Sequence, residues 1–255
     1  MATELDYIKN YVFTNDIEQD GKIILARLKY DCDLFDFDEN VDRSYINYKF
    51  TYEHLKNKTE LNGVELFYLA RYHYNNTNDE KVAQKYYEMA VEKGNAMAMV
   101  YLGVFHEDHY EDHITAKKLY EMAYDKGYVA ALNNLSFIYM FYEKNYEETK
   151  KCLKTAVEKG NPQAMLKLAL FYTDKEENPE EELKYLLMAI DAGNIDAYSH
   201  IGMYYQFKKN YEEAKKYYFI GIEKGDYGSR QGIACYYKYV ENNIEEAKKY
   251  NPYIV

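Results

Sequence analysis

Large apolar residues recur along this chain at helical spacing, and the pattern repeats about every 33 residues. Glycine marks the period, standing 33, 33, 33 and 32 residues apart at Gly94, Gly127, Gly160, Gly193 and Gly225. Between consecutive glycines the apolar positions fall into two segments, each long enough for a helix. A period of this length predicts stacked helix pairs that bury their apolar faces against their neighbours.

Each repeat is predicted to contain two helices. The first carries a large apolar residue, a small residue and then aromatic residues, as in Leu102-Gly103-Val104-Phe105-His106. We expect the small residue to let a neighbouring helix approach closely. The second helix also has a column of small residues, but Glu182 interrupts it and leaves the packing of that repeat open. The column is otherwise Ala83, Ala116, Thr149, Ala214 and Ala247.

Polar residues mark the ends of the predicted helices. In four repeats an asparagine precedes the second helix and a glutamate follows three residues later, as at Asn145 and Glu148. This is the spacing of a capping box, in which the asparagine accepts from an early backbone amide and the glutamate bonds back to the cap amide. The repeat glycines are expected to end the second helices in a left-handed conformation.

The motif Ala90-x-x-x-Gly94-Asn95-x-x-Ala98-x-x-x-Leu102-Gly103 and its copies resemble the Sel1-like repeat family, within the tetratricopeptide-repeat superfamily. The resemblance covers roughly residues 60–251. It implies an all-α, right-handed α-solenoid of stacked antiparallel helix pairs that serves as a scaffold or adaptor for protein partners and is not an enzyme. The turn inside each repeat departs from the usual Sel1-like pattern and looks like the shorter tetratricopeptide version.

Two regions are predicted along the chain. Residues 1–42 do not follow the period and are expected to form an acidic N-terminal cap. Residues 43–255 are expected to form the Sel1-like solenoid, with about five full repeats and a truncated C-terminal one. The chain carries a net charge of −11, of which −7 falls in residues 1–42.

Composition narrows the classes of partner and the location. An acidic chain with four arginines is a poor candidate for nucleic-acid binding. No apolar run is long enough to cross a membrane, and the N-terminus lacks the basic-then-apolar pattern of a signal peptide. Three widely spaced cysteines, Cys32, Cys152 and Cys235, fit reduced thiols. We therefore expect a cytoplasmic protein without a cofactor.

The resemblance implies that the first helices line a concave face. One column along that face would be apolar and the columns beside it partly amide, which suits a peptide with hydrophobic anchors. In an alternative, the N-terminal segment or a second copy of the chain covers this face. The predicted partner-binding residues are Phe67, Arg71, Val104, Asn133, Phe137, Met140, Leu170, Ser199, Met203, Gln206 and Cys235.

Two further hypotheses compete with the scaffold. His106, His109 and His113 have carboxylates around them and could bind a metal. However, the repeat explains most of the cluster, because His106 stands in an aromatic column and His113 aligns with Tyr146 and Tyr211. We therefore predict no metal site. The other hypothesis is homo-oligomerisation through the exposed ends of the array.

Overall fold

The computed structural model describes residues 48–254, and every regular element in this part of the chain is helical. The first helices are α1 (Tyr48–Leu55), α2 (Gly63–Tyr72), α3 (Glu80–Glu92), α4 (Ala96–Tyr110) and α5 (His113–Asp125). They are followed by α6 (Ala131–Phe137), α7 (Tyr146–Glu158), α8 (Pro162–Phe171), α9 (Pro179–Asp191), α10 (Ala197–Phe207), α11 (Tyr211–Glu223), α12 (Tyr227–Tyr239) and α13 (Ile244–Tyr250). The predicted all-α fold is confirmed, whereas the predicted cap of residues 1–42 lies outside the described residues.

The described residues divide into two compact units, the first ending at Ala131 and the second beginning at Leu132. In the first unit α2 packs on α3 and α4 packs on α5. In the second unit the packed pairs are α8 with α9, α10 with α11, and α12 with α13. Each pair is one sequence repeat, as the period predicts, and consecutive pairs stack on each other within a unit.

The cap asparagines begin the second helices as predicted. Asn145 accepts a hydrogen bond from the amide of Glu148 at 3.2 Å. The predicted hydrogen bond from the Asn145 amide to the Glu148 side chain does not form. The Asn145 amide donates instead to the carbonyl of Tyr139 at 2.8 Å. The Glu148 carboxylate binds Lys151 instead. The same asparagine cap and the same pairing of glutamate with lysine recur in α9, α11 and α13.

Left-handed residues end both helices of each repeat. The five repeat glycines have φ between +80° and +90° and reverse the chain after the second helix, as predicted. The turn after the first helix uses a non-glycine residue with φ between 47° and 58°. Short π-helical turns precede three of these positions, at His73–Thr77, Ile138–Tyr142 and Tyr172–Glu176. Sequence patterns did not predict this second set, which consists of Asn78, Glu111, Lys144, Glu177, Lys209 and Asn242.

Two of the small residues in the first helices, Gly103 and Gly202, lie against buried tyrosines. A Cβ atom added to Gly202 would lie 2.4 Å from Cε1 of Tyr218, and one added to Gly103 would lie 2.5 Å from Cε1 of Tyr120. Both tyrosines are almost completely buried. Glycine is therefore needed at these positions because the ring occupies the space that a methyl group would take.

The position after the repeat glycine links neighbouring repeats in the second unit. Asp226 caps α12 and also accepts from the amide of Ser199 in α10 at 3.1 Å. Asn133 in α6 donates to the side chain of Asn161 at 3.2 Å. Ser199 and Asn133 were predicted to face a partner, but both are buried in these contacts.

Candidate functional site

The predicted apolar column is largely accessible. In the second unit Phe137 and Met203 are 43% and 48% exposed, Cys235 is exposed and Leu170 is half-buried. In the first unit Val104 is exposed.

The remaining predicted residues offer less surface. Arg71 is buried, and its guanidinium lies 4.5 Å from the ring centre of Tyr101. Phe67 is buried like Asn133 and Ser199. Met140 and Gln206 are half-buried, and Gln206 accepts a hydrogen bond from the Tyr218 hydroxyl at 3.1 Å. A partner on this face would therefore meet mainly the apolar column.

A groove opens beside this column in the second unit, with a volume of about 810 Å³. It lies between α8 with its π-helical turn, the first turn of α9, and α10. We call it the α8–α10 groove. Its lining residues are Leu170, Thr173, Asp174, Glu177, Pro179, Glu182, His200, Met203, Tyr204, Phe207 and Lys208.

Apolar side chains form much of the groove wall. Leu170 and Met203 come from the predicted column, and Phe207 at the end of α10 is 86% exposed. Phe207 aligns in the repeat with Phe141 and Tyr239, which are also exposed. Sequence reasoning missed these exposed rings, although the register placed their position next to Gln206; the same position is an aspartate in other repeats, such as Asp174. Exposed aromatic rings beside a cavity are typical of interaction surfaces.

Glu182 supplies the groove with a carboxyl group at an unusual position. The other small residues of its column, such as Ala83 and Ala214, are completely buried where helices meet. Glu182 is half-buried and lines the groove instead. Burial raises the pKa of this carboxyl, with a smaller opposing effect from the Thr173 hydroxyl and the Lys208 ammonium. The break in the column therefore marks a surface cavity with a partly desolvated acid.

Replacing Glu182 with alanine should stabilise the folded chain. Alanine restores the residue of the neighbouring repeats, removes the desolvated carboxyl and has slightly higher helix propensity. We expect the free energy of unfolding to rise by about 1 kcal/mol at neutral pH, a common gain for a substitution of this class. Urea denaturation followed by circular dichroism measures this gain.

The effect should also depend on pH. The raised pKa of Glu182 means that the folded state disfavours the charged carboxylate. The gain should therefore be largest above that pKa and shrink as acid protonates Glu182; a loss of stability at neutral pH would contradict this account.

The charge of the groove is mainly negative. Asp174, Glu177 and Glu182 line it, with Lys208 as the one lysine or arginine among the lining residues. Burial also lowers the pKa of His200, which favours the neutral imidazole. The groove can therefore offer apolar contacts and carboxylate acceptors together.

A second cavity, of about 890 Å³, lies in the first unit between residues 58–66 and 89–95. Its wall comes from the loop before α2, the start of α2 and the turn after α3. At the start of α2, Asn62 and Glu65 form a capping box that uses both of their side chains. Asn62 and Glu65 in this wall thus serve the start of α2, and Asn95 caps α4. The α8–α10 groove is the stronger candidate because more of its lining is apolar.

The three histidines of the alternative metal hypothesis do not share one carboxylate. His106 faces Asp112 at 3.5 Å, His109 faces Glu80 at 3.4 Å, and the third, in α5, faces Glu107 at 3.8 Å. Between residues 48 and 254, no group of three or more His, Cys, Asp or Glu side chains is arranged to hold a metal. The cluster is therefore distributed over separate pairs.

No family model matches this chain, and no curated protein sequence matches it either. Solved structures do match. A Sel1 repeat protein from Oxalobacter formigenes superposes with a TM-score of 0.67 at 19% identity, over 91% of this chain and 94% of that one. The chain has the fold of Sel1-like repeat proteins.

Two further solved structures are similar to this chain. A protective antigen of uropathogenic Escherichia coli, described as an SLR fold, matches with a TM-score of 0.61 at 14% identity over 80% of this chain. This chain spans only 47% of that protein. An immunity protein from Pseudomonas aeruginosa matches with a TM-score of 0.56 at 20% identity, over 77% of this chain and 78% of that one. Within residues 48–254, no helix is long and apolar enough to cross a lipid bilayer.

Proposed function

We propose that this Sel1-like chain is a non-catalytic interaction module that binds a segment of a protein partner on the exposed face of its first helices. The observation that carries the proposal is the α8–α10 groove, in which exposed Met203 and Phe207 border a cavity of about 810 Å³. An accessible apolar surface with a few polar groups suits a peptide that inserts hydrophobic side chains.

The binding energy is expected to concentrate on the apolar wall. Leu170, Met203 and Phe207 provide aliphatic, thioether and aromatic surface that a partner can desolvate. Phe137 extends the accessible apolar column in the same unit, where its ring lies 4.7 Å from that of Phe141. Anchors of this kind contribute more than the polar rim because they exclude water.

The charge and the cysteines support the proposed class of partner and the proposed location. A chain with a net charge of −11 and four arginines favours a protein partner over nucleic acid. Cys152 is buried and Cys235 is exposed, and widely spaced cysteines of this kind support reduced thiols and a cytoplasmic adaptor. A second copy of the chain is the alternative occupant of the groove, and light scattering detects it. Elemental analysis of untagged protein tests the metal hypothesis.

Met203→Asp should weaken partner binding by at least about tenfold, because it places a charge in the apolar wall of the groove. The probe is the tightest peptide selected from a random dodecapeptide display library on the full chain, and fluorescence anisotropy measures its affinity. Met122→Asp is the matched control, since Met122 is 44% exposed but lies on α5 in the other unit. Circular dichroism verifies that both variants fold. Equal affinity for wild type and Met203→Asp would contradict the groove site.

A further inference from the structure

The Glu182 carboxyl in the α8–α10 groove is partly withdrawn from water, the Thr173 hydroxyl and the Lys208 ammonium offset this burial only in part, and within residues 48–254 it forms no close ion pair with a lysine or arginine. Its repeat column otherwise carries alanine or threonine, all fully buried. The one lysine of the groove, Lys208, is exposed, and its ammonium lies 5.7 Å from the ring centre of Tyr204. A carboxylate withdrawn from water is stabilised when an incoming group donates to it. Glu182 is therefore ready to receive a donor from a ligand.

The neighbouring charges favour a cationic donor. Asp174 and Glu177 add two carboxylates to the groove lining. The positive end of α9 could attract an anion, but Glu180, Glu181 and Glu182 fill its first turn and oppose this attraction. An acidic segment would meet like charge, whereas a lysine or arginine would meet complementary charge.

We propose that the partner segment is basic as well as apolar: it presents a lysine or arginine that binds the Glu182 carboxylate while a large apolar residue beside it packs on Leu170, Met203 and Phe207. This inference rests on the proposed function and names the chemistry of the occupant. The cation also relieves the desolvation of Glu182, which explains how a residue unfavourable to the free fold contributes to the complex.

One short peptide segment can contact both the carboxylate and the apolar wall of the groove. Glu182 on the first turn of α9 and Met203 on α10 line the same cavity. A cation and an apolar anchor close together in sequence can therefore reach both. Arginine should be favoured over lysine, because its planar guanidinium can bind a carboxylate through two hydrogen bonds.

Peptide selection on immobilised full-length chain tests the inference. Random dodecapeptides are selected in parallel on wild type and on Glu182→Gln, an isosteric change that removes the charge. Wild type should enrich arginine or lysine beside a large apolar residue, and Glu182→Gln should keep the apolar enrichment and lose the basic one. The tightest basic peptide should bind Glu182→Gln about tenfold more weakly. It should bind Glu180→Gln within about twofold, since Glu180 is exposed outside the groove lining.

Charge reversal adds an independent readout. Glu182→Lys should reject the basic peptide and accept a version in which glutamate replaces its cation. Apolar enrichment without basic residues, or equal binding to wild type and Glu182→Gln, overturns this inference and leaves the proposed function intact. Enrichment of acidic residues also overturns it. A screen in which Met203→Asp weakens no selected peptide rejects the proposed function and the inference together.

Discussion

Asp226→Ala is expected to lower the free energy of unfolding by about 3 kcal/mol, since it leaves several buried donors unsatisfied. The Asp226 carboxylate is buried and accepts from the amides of Gly228 at 2.8 Å and Ser229 at 3.0 Å. It also accepts from the Ser229 hydroxyl and from the amide of Ser199 in the preceding repeat. One side chain therefore begins α12 and joins α12 to α10.

Chemical denaturation of Asp226→Ala beside Asp196→Ala measures this effect. Asp196 precedes α10 at the equivalent end, but its exposed side chain makes no cap hydrogen bond. Its replacement should change stability by less than about 0.5 kcal/mol. Asp226→Asn keeps one acceptor oxygen, so its free energy of unfolding should lie between those of the two alanine variants. Equal stability of both alanine variants would show that the carboxylate contributes nothing beyond an ordinary surface acid.

Gly202→Ala is expected to destabilise the second unit by about 2 kcal/mol, because the added methyl group collides with a ring that cannot move. The new Cβ would lie 2.4 Å from Cε1 and 2.5 Å from Cδ1 of Tyr218. A Cβ on Gly232 in α12 would lie 2.3 Å from the same Cε1. The Tyr218 hydroxyl also donates to Gln206. The ring is therefore held between two helices and at its tip.

A double-mutant cycle with Tyr218→Leu shows whether the ring is the cause. In the repeat of α8 and α9, the equivalent positions are Ala169 and Leu186, and both are fully buried. In the Tyr218→Leu background, Gly202→Ala should become stabilising by up to about 1 kcal/mol, because alanine has the higher helix propensity. Urea denaturation of the four proteins measures the change of sign. A destabilisation of the same size in both backgrounds would place the strain elsewhere.

Substitutions of Glu182 are expected to change stability and binding in opposite directions. Glu182→Ala should strengthen the fold, whereas Glu182→Gln should weaken binding of a basic peptide. Opposite effects on folding and binding are expected at functional sites, where an unfavourable group is retained for its interaction with a ligand. A structural residue such as Asp226 should instead affect stability first. The two classes can therefore be separated by measuring stability and affinity on the same variants.

Periodicity predicted the helices and most of their ends because these depend on nearby residues. An asparagine such as Asn145 caps amides only three positions away, and Gly94 turns the chain within its own backbone. The return bonds predicted for glutamates such as Glu148 did not form, since the cap amide already bonds to a carbonyl of the preceding helix. That competitor comes from the turn inside the repeat, whose π-helical geometry the sequence pattern did not indicate.

The face of the first helices was predicted only in part. The column of Val104, Phe137 and Met203 is accessible, but the adjacent positions of Asn133 and Ser199 are buried. Residues four apart lie on the same face of a helix, so the length of that face which neighbouring helices cover decides which column is buried, and the sequence pattern does not give this length. An aromatic residue recurs at the Phe207 position in some repeats, and Glu182 breaks a column of small residues, but neither signal alone indicates a cavity.

By itself, the sequence determined the repeat length, the helix pairs, the caps, the glycine turns and the Sel1-like fold, because each is set by interactions within one repeat or by its regular recurrence. Only the tertiary structure decided which side chains the stacking covers and where it leaves a groove. Those outcomes depend on contacts between residues about one repeat apart, such as Asp226 with Ser199, and on volumes that must fit, such as the Tyr218 ring against Gly202. The departure at Glu182 became a candidate site only when its neighbours in space were known.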